Sequence, residues 1–197
     1  EVADTIGAEE FHLIGHDWGA VVGWSAVLSN PSRITSWTAL SFPHPAAFSA
    51  ALQDDPDQQD RSSYVAFFQT PWLPETVFSF NNFSALKTLF EGMSAKKMKE
   101  YINVFSEPGA LTSALNWYRV LGDNGLSNLD SIDSLEVKTP TLFLWGNQDP
   151  SVGRVAVDRM AEFMKGPYTN IELEADHWLF VDRPEKVISE ILIHIEQ

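Results

Sequence analysis

The chain has 197 residues, enough for one domain or a small domain with an insertion. Its 27 acidic and 13 basic residues give a formal charge of −14, which opposes binding to phosphate backbones and to anionic membranes. The absence of cysteine excludes a disulfide framework, thiolate chemistry and a zinc–thiolate site. No apolar run approaches the roughly eighteen residues of a membrane span, and no signal-peptide pattern is recognisable. These features lead us to expect a cytoplasmic protein with neither nucleic acid nor membrane as partner.

Residues 1–7 read as the last turn of a helix closed by Gly7, so the fold is expected to begin upstream of residue 1. Phe11 to Ile14 is a short apolar run bounded by Gly15, as in a buried strand. After Gly19 the pattern turns helical, through Ala20, Val21, Val22, Trp24, Ala26, Val27 and Leu28, until Asn30-Pro31 stops it. Arg33 to Phe42 predicts a second strand, closed by Pro43-His44-Pro45. A helical turn over Ala46 to Leu52 and a polar loop over Gln53 to Asp60 follow. From Arg61 to about Leu121 the pattern is helical and rich in aromatics, divided by prolines 71, 74 and 108. Gly122 to Ser134 is polar and turn-like. Thr139 to Trp145 predicts a strand, Val155 to Met164 a helix, Tyr168 to Leu173 a strand, and Pro184 to Ile195 a last helix with Pro184 near its start.

Strands alternating with helices imply an α/β fold with a parallel sheet covered on both faces. The helical block lies between two strands. The expected organisation is therefore a core of residues 1–45 and 137–197 with an inserted all-helical lid over 46–136. Asp17, Asp149 and His177 each follow a strand directly, so the sheet's carboxyl edge, where such folds bind ligands, should gather them.

The stretch Gly15-His16-Asp17-Trp18-Gly19 carries the chemistry. Gly-x-Asp-x-Gly between a strand and a helix has the form of a nucleophile elbow, with Asp17 where serine is usual. Both glycines are expected to make room where a Cβ would not fit. The following helix aims free N–H groups and its positive end at the turn, which favours a carboxylate. His16 reads as structural, packed beneath the elbow. His44 either faces the site entrance or belongs to a rigid turn. Asp176 is a rival to Asp149 as the acid, but neighbouring side chains on extended backbone point apart.

Asp17, Asp149 and His177 occur in the order nucleophile, acid, base, which matches α/β-hydrolases and differs from other well-known triads. The elbow, the Gly146-x-x-Asp149 turn and the Asp176-His177-Trp178 loop together resemble an α/β-hydrolase with an aspartate nucleophile. Soluble epoxide hydrolases and haloalkane dehalogenases share that feature, and the resemblance covers nearly all of the chain. A carboxylate can displace a leaving group from saturated carbon and form an alkyl ester. The resemblance implies Asp17 as nucleophile, His177 as the base that activates water, Asp149 as its orienting acid, and the Trp18 backbone N–H as an oxyanion donor.

The lid separates the two groups. Ser63-Tyr64-Val65-Ala66-Phe67-Phe68-Gln69-Thr70-Pro71 resembles the first lid-tyrosine segment of soluble epoxide hydrolases, and Leu115-Asn116-Trp117-Tyr118-Arg119 resembles the second. Tyr64 and Tyr118 are therefore expected to protonate the epoxide oxygen. The expected partners are a small apolar epoxide and water, with no metal and no cofactor. Trp18, Trp72 and Trp117 keep a haloalkane dehalogenase as the alternative. Family members also carry an upstream His-Gly-x-Pro turn, matched nowhere here. The resemblance thus places the first half of the sheet before residue 1. Without it, Phe11 to Ile14 is an apolar sheet edge to be covered by that upstream half or in a homo-oligomer. A reading of another class is a catalytically inactive fragment or a ligand-binding pseudoenzyme.

Overall fold

The computed structural model describes residues 1–89, 93–121 and 134–196; most of the turn-like segment 122–134 lies outside them. The chain divides into two compact units, Glu1–Ser62 with Leu126–Gln197, and Ser63–Gly125.

The first unit is a parallel four-stranded sheet in the order β1 (Phe11–His16), β2 (Ile34–Leu40), β3 (Thr141–Gly146), β4 (Tyr168–Leu173). Alternation along each strand feeds two separate cores. Trp37 and Ala39 of β2 and Phe143 and Trp145 of β3 share one face. Against them pack Ala20, Trp24 and Val27 of α2 (Trp18–Ser29), Ala47 of α3 (Pro45–Asp54) and Val157 of α9 (Arg154–Asp158). Leu40, Leu142, Leu144 and Leu173 face the other way, against Leu179 of α10 (Leu179–Asp182) and Val187 of α11 (Pro184–Ile195). Every residue of β3 is buried, which explains its unbroken apolar sequence. Each large side chain so enclosed contributes about 1.5–3 kcal/mol. β1 lies at the edge of this sheet, and Ile14 on it is half-exposed.

Local chemistry corrects several sequence expectations. The polar stretch expected as a loop contains α4 (Pro56–Arg61). Asp55 caps it, its carboxylate accepting from the Asp57 and Gln58 backbone N–H groups, and Pro56 occupies the first turn. Pro43-His44-Pro45 is likewise a helix start: His44 Nδ1 accepts from the Ala46 N–H at 3.2 Å. His44 is fully buried and stacked on Phe163, so it does not face a site entrance. Burial pushes its pKa down to about 4, which keeps it neutral. The helix expected over Val155 to Met164 ends at Asp158 and tightens into a 3₁₀ turn, Arg159–Glu162. At the start, α1 (Val2–Thr5) is closed by Gly7 at φ 72°.

The second unit is helical: α5 (Tyr64–Gln69), α6 (Leu73–Thr88), α7 (Ala95–Phe105) and α8 (Ala110–Leu121). Its core is Phe78, Leu86, Ile102, Leu111 and Leu115, with Phe67, Phe68 and Phe83 packed around them. α6 is interrupted at Phe80–Phe83, where Asn81, Asn82 and Phe83 take left-handed backbone. Asparagine tolerates that region and phenylalanine does not, so Phe83 is the strained residue of the three. The helical unit is shorter than the 46–136 expected from sequence. α3 packs against α9 and α4 bonds to the turn after β3, so both belong with the sheet.

Candidate active site

The site of the first unit is assembled at the carboxyl ends of β1, β3 and β4. Asp17 sits between β1 and α2 at φ 52°, a conformation that a non-glycine residue adopts only under constraint. The turn is held by the Asp17 carbonyl, which accepts from Ala20 and Val21, and by the Asp17 N–H, which donates to the Leu40 carbonyl. A Cβ on Gly15 would lie 2.5 Å from the Gly19 carbonyl oxygen, so the turn requires glycine there. The same expectation fails at Gly19: a Cβ there meets nothing within 4 Å, because the residue already lies on the exposed side of α2.

Asp149 follows β3 and is fully buried. Its Oδ1 accepts from the backbone N–H groups of Ser151 (2.7 Å) and Val152 (3.1 Å), which leaves Oδ2 for His177. The 175–178 loop crosses so close over the end of β3 that a Cβ on Gly146 would collide with the Asp176 and Ala175 carbonyls, at 2.3 and 2.4 Å. That crossing puts His177 Nδ1 2.8 Å from Asp149 Oδ2 and His177 Nε2 3.3 Å from Asp17 Oδ1. A carboxylate only accepts, so both ring nitrogens are oriented to donate. Asp176 does not compete. Its Oδ1 accepts from the Trp178 N–H and its own N–H donates to Asp182.

His16 and Ser41 complete the support. His16 Nε2–H donates to the His177 carbonyl at 2.9 Å, and Ser41 Oγ–H donates to the same oxygen at 2.8 Å. His16 thus packs beside the elbow as expected, and it also fixes the backbone of the histidine loop. Ser41 is a residue the sequence reading did not single out. Its one signal is its position just past β2, on the same edge as the others.

The charges reinforce one another. Burial disfavours the charge on His177, but hydrogen bonds to Asp149 and Asp17, together with their negative charges, outweigh it and push its pKa up to about 10. Burial would raise Asp17, yet the His177 hydrogen bond and charge, the Trp18 backbone N–H and His16 together hold it below the usual carboxylate value. Burial keeps His16 below the usual histidine value. At neutral pH the site therefore pairs an ionised Asp17 with a charged His177.

Tyr64 and Tyr118 come together within the helical unit. Their ring centroids are 6.0 Å apart, and each meets Phe68 edge-on, at 5.2 and 4.8 Å. Gln69 Nε2–H donates to the Tyr118 carbonyl at 3.1 Å, tying α8 to α5. Arg119 of α8 pairs with Glu75 of α6 through both terminal guanidinium nitrogens and donates to the Thr70 carbonyl just past α5. Trp72 is 82% exposed. No group of three or more histidine, aspartate or glutamate residues that could hold a metal occurs among the described residues. No helix among them is long and apolar enough to cross a membrane.

Comparison with known proteins agrees with this fold. The family model described as alpha/beta hydrolase fold matches residues 1–184. Epoxide hydrolase 4 from Homo sapiens is 35% identical over 95% of the chain and 54% of its own length. Epoxide hydrolase 3 from Xenopus tropicalis is 31% identical over 92% of the chain and 52% of its own length. The chain thus spans about half the length of these relatives. Among solved structures, an epoxide hydrolase from Bacillus megaterium in complex with an inhibitor superposes with a TM-score of 0.86 at 26% identity, covering 100% of this chain and 72% of that one. With a parallel sheet, an elbow at its edge and a family model matching nearly its whole length, the chain belongs to the alpha/beta hydrolase fold family.

Proposed function

We propose that the protein is an epoxide hydrolase that adds water to an epoxide and releases a vicinal diol through an ester on Asp17. The observation that carries this reading is a carboxylate, not a hydroxyl, at the elbow, 3.3 Å from a histidine that is itself bonded to a buried carboxylate. The names of the relatives support the substrate class.

In the first step an Asp17 oxygen attacks an epoxide carbon, the carbon–oxygen bond breaks, and the departing oxygen takes a proton from Tyr64 or Tyr118. The tyrosines are assigned by the likeness of their segments to those of epoxide hydrolases, and their pairing within one helical unit supports it. Esterification removes the Asp17 charge, one of the two attractions that raise the His177 pKa. His177 then releases its proton and can act as a base. It takes a proton from water, whose oxygen attacks the Asp17 carbonyl carbon. The Trp18 N–H, at the first turn of α2, stabilises the oxyanion that forms. Collapse restores the carboxylate and expels the diol. The proton that His177 releases restores the tyrosine, and of the two protons water supplies one returns His177 to its charged resting form and one ends on the leaving oxygen. Asp149 keeps His177 oriented throughout. The helical unit serves as the cap of the enzyme, and no metal or cofactor takes part.

The test is conversion of styrene oxide-type substrates by the full-length protein. Diol formation that disappears in Asp17→Ala supports the reading. Halide release from haloalkanes with no diol would instead make the protein a dehalogenase.

A further inference from the structure

The turn that carries Asp149 is gripped by a helix more than eighty residues earlier in the chain. Gln58, on α4, is fully buried, and its side-chain amide is used on both sides. Nε2–H donates to the Ser151 carbonyl at 2.9 Å and to Ser62 Oγ at 3.0 Å, while Oε1 accepts from the Gly153 N–H at 2.8 Å. One turn further along α4, Arg61 donates from Nη1 to the backbone carbonyl of Asp149 itself, and Asp57 holds the guanidinium through Nε at 2.7 Å. The Trp145 indole N–H also donates to the Val152 carbonyl. The two remaining N–H groups of the turn, at Ser151 and Val152, both go to Asp149 Oδ1. Within residues 149–153, the carbonyls of Asp149, Ser151 and Val152 and the N–H groups of Ser151, Val152 and Gly153 are therefore all engaged. A buried amide with this pattern is costly unless its partners are fixed, and it fixes them in return.

We propose that Gln58 and Arg61 are positioning residues that hold the acid turn so that Asp149 stays aligned on His177. The inference rests on the catalytic reading given above and deepens it by assigning α4 a role in one half of the reaction. Ester formation needs Asp17 as nucleophile and a tyrosine as acid, and neither role requires His177 to act as a base. Ester hydrolysis does, and it needs that base held by Asp149.

The measurement is single-turnover kinetics of the full-length protein with styrene oxide, following ester formation and ester hydrolysis separately. Gln58→Met preserves volume and removes the three hydrogen bonds. It is expected to slow ester hydrolysis about tenfold or more while ester formation stays within about twofold. Rates that fall together, or rates that do not change, would overturn the proposal, since a merely structural role affects both halves alike. Gln58→Glu gives a second readout that survives a folding defect in the first variant. As a neutral acid it can donate to Ser151 and accept from Gly153, and as a carboxylate it cannot donate. Its hydrolysis rate relative to wild type must therefore rise as pH falls; a flat ratio overturns the proposal. A wild-type protein that forms no ester refutes the catalytic reading itself, whereas an ester that forms and hydrolyses alike in all three proteins refutes this inference alone.

Discussion

Asp17 and His177 face each other at 3.3 Å across the carboxyl edge of the sheet, 160 residues apart in sequence and joined by opposite charge. Their pairing makes stability depend on pH with a defined sign. The His177 pKa in the folded protein, about 10, lies above its ordinary 6.5. The contribution is fully present below about 6.5 and is lost as pH rises through about 10. The melting temperature of the full-length protein should therefore fall across that window, and His177→Gln should flatten the slope. Identical slopes in both proteins would mean that the pairing does not exist in solution.

Asp149→Asn keeps an oxygen for the Ser151 and Val152 N–H groups but replaces the charge that holds His177. Ester hydrolysis should fall by about 10²–10⁴ and ester should accumulate, detectable as an adduct by intact-protein mass spectrometry. Loss of turnover without an adduct would place Asp149 in the first step instead.

Tyr64→Phe and Tyr118→Phe should each slow ester formation by about 10–10², and the double variant by about 10²–10⁴, with ester hydrolysis little changed. Rapid-quench measurement of the adduct separates the steps. If neither single variant slows its formation, the tyrosines are core aromatics of the helical unit.

Gly15→Ala introduces a Cβ 2.5 Å from the Gly19 carbonyl, whereas Gly19→Ala meets open space. Overpacking of this kind costs about 1–3 kcal/mol, so Gly15→Ala should lower the melting temperature clearly and Gly19→Ala hardly at all. Equal effects would contradict the turn geometry.

What the sequence disclosed and what it hid divide along a physical line. β4 and α11 have the bounds that their apolar spacing predicts, because periodicity and Pro184 are local signals. The order Asp17, Asp149, His177 was legible because each follows a strand, and parallel strands bring their ends together. α4 was hidden by its polarity: its one buried face is Gln58, which sequence alone reads as solvated. The grip of Gln58 and Arg61 on the acid turn, and of Ser41 and His16 on the His177 carbonyl, are side-chain to backbone bonds between distant segments, and no spacing rule announces them. The break in α6 at Phe80–Phe83 has no proline or glycine to mark it.

The central claim is that water's oxygen enters Asp17 before it enters product. A single turnover of the full-length protein in heavy-oxygen water tests it directly, with mass spectrometry of both the diol and the peptide carrying Asp17. The account predicts an unlabelled diol and a labelled Asp17 peptide. A labelled diol with an unlabelled peptide would mean that water attacks the substrate itself, and the ester on Asp17 would have to be abandoned.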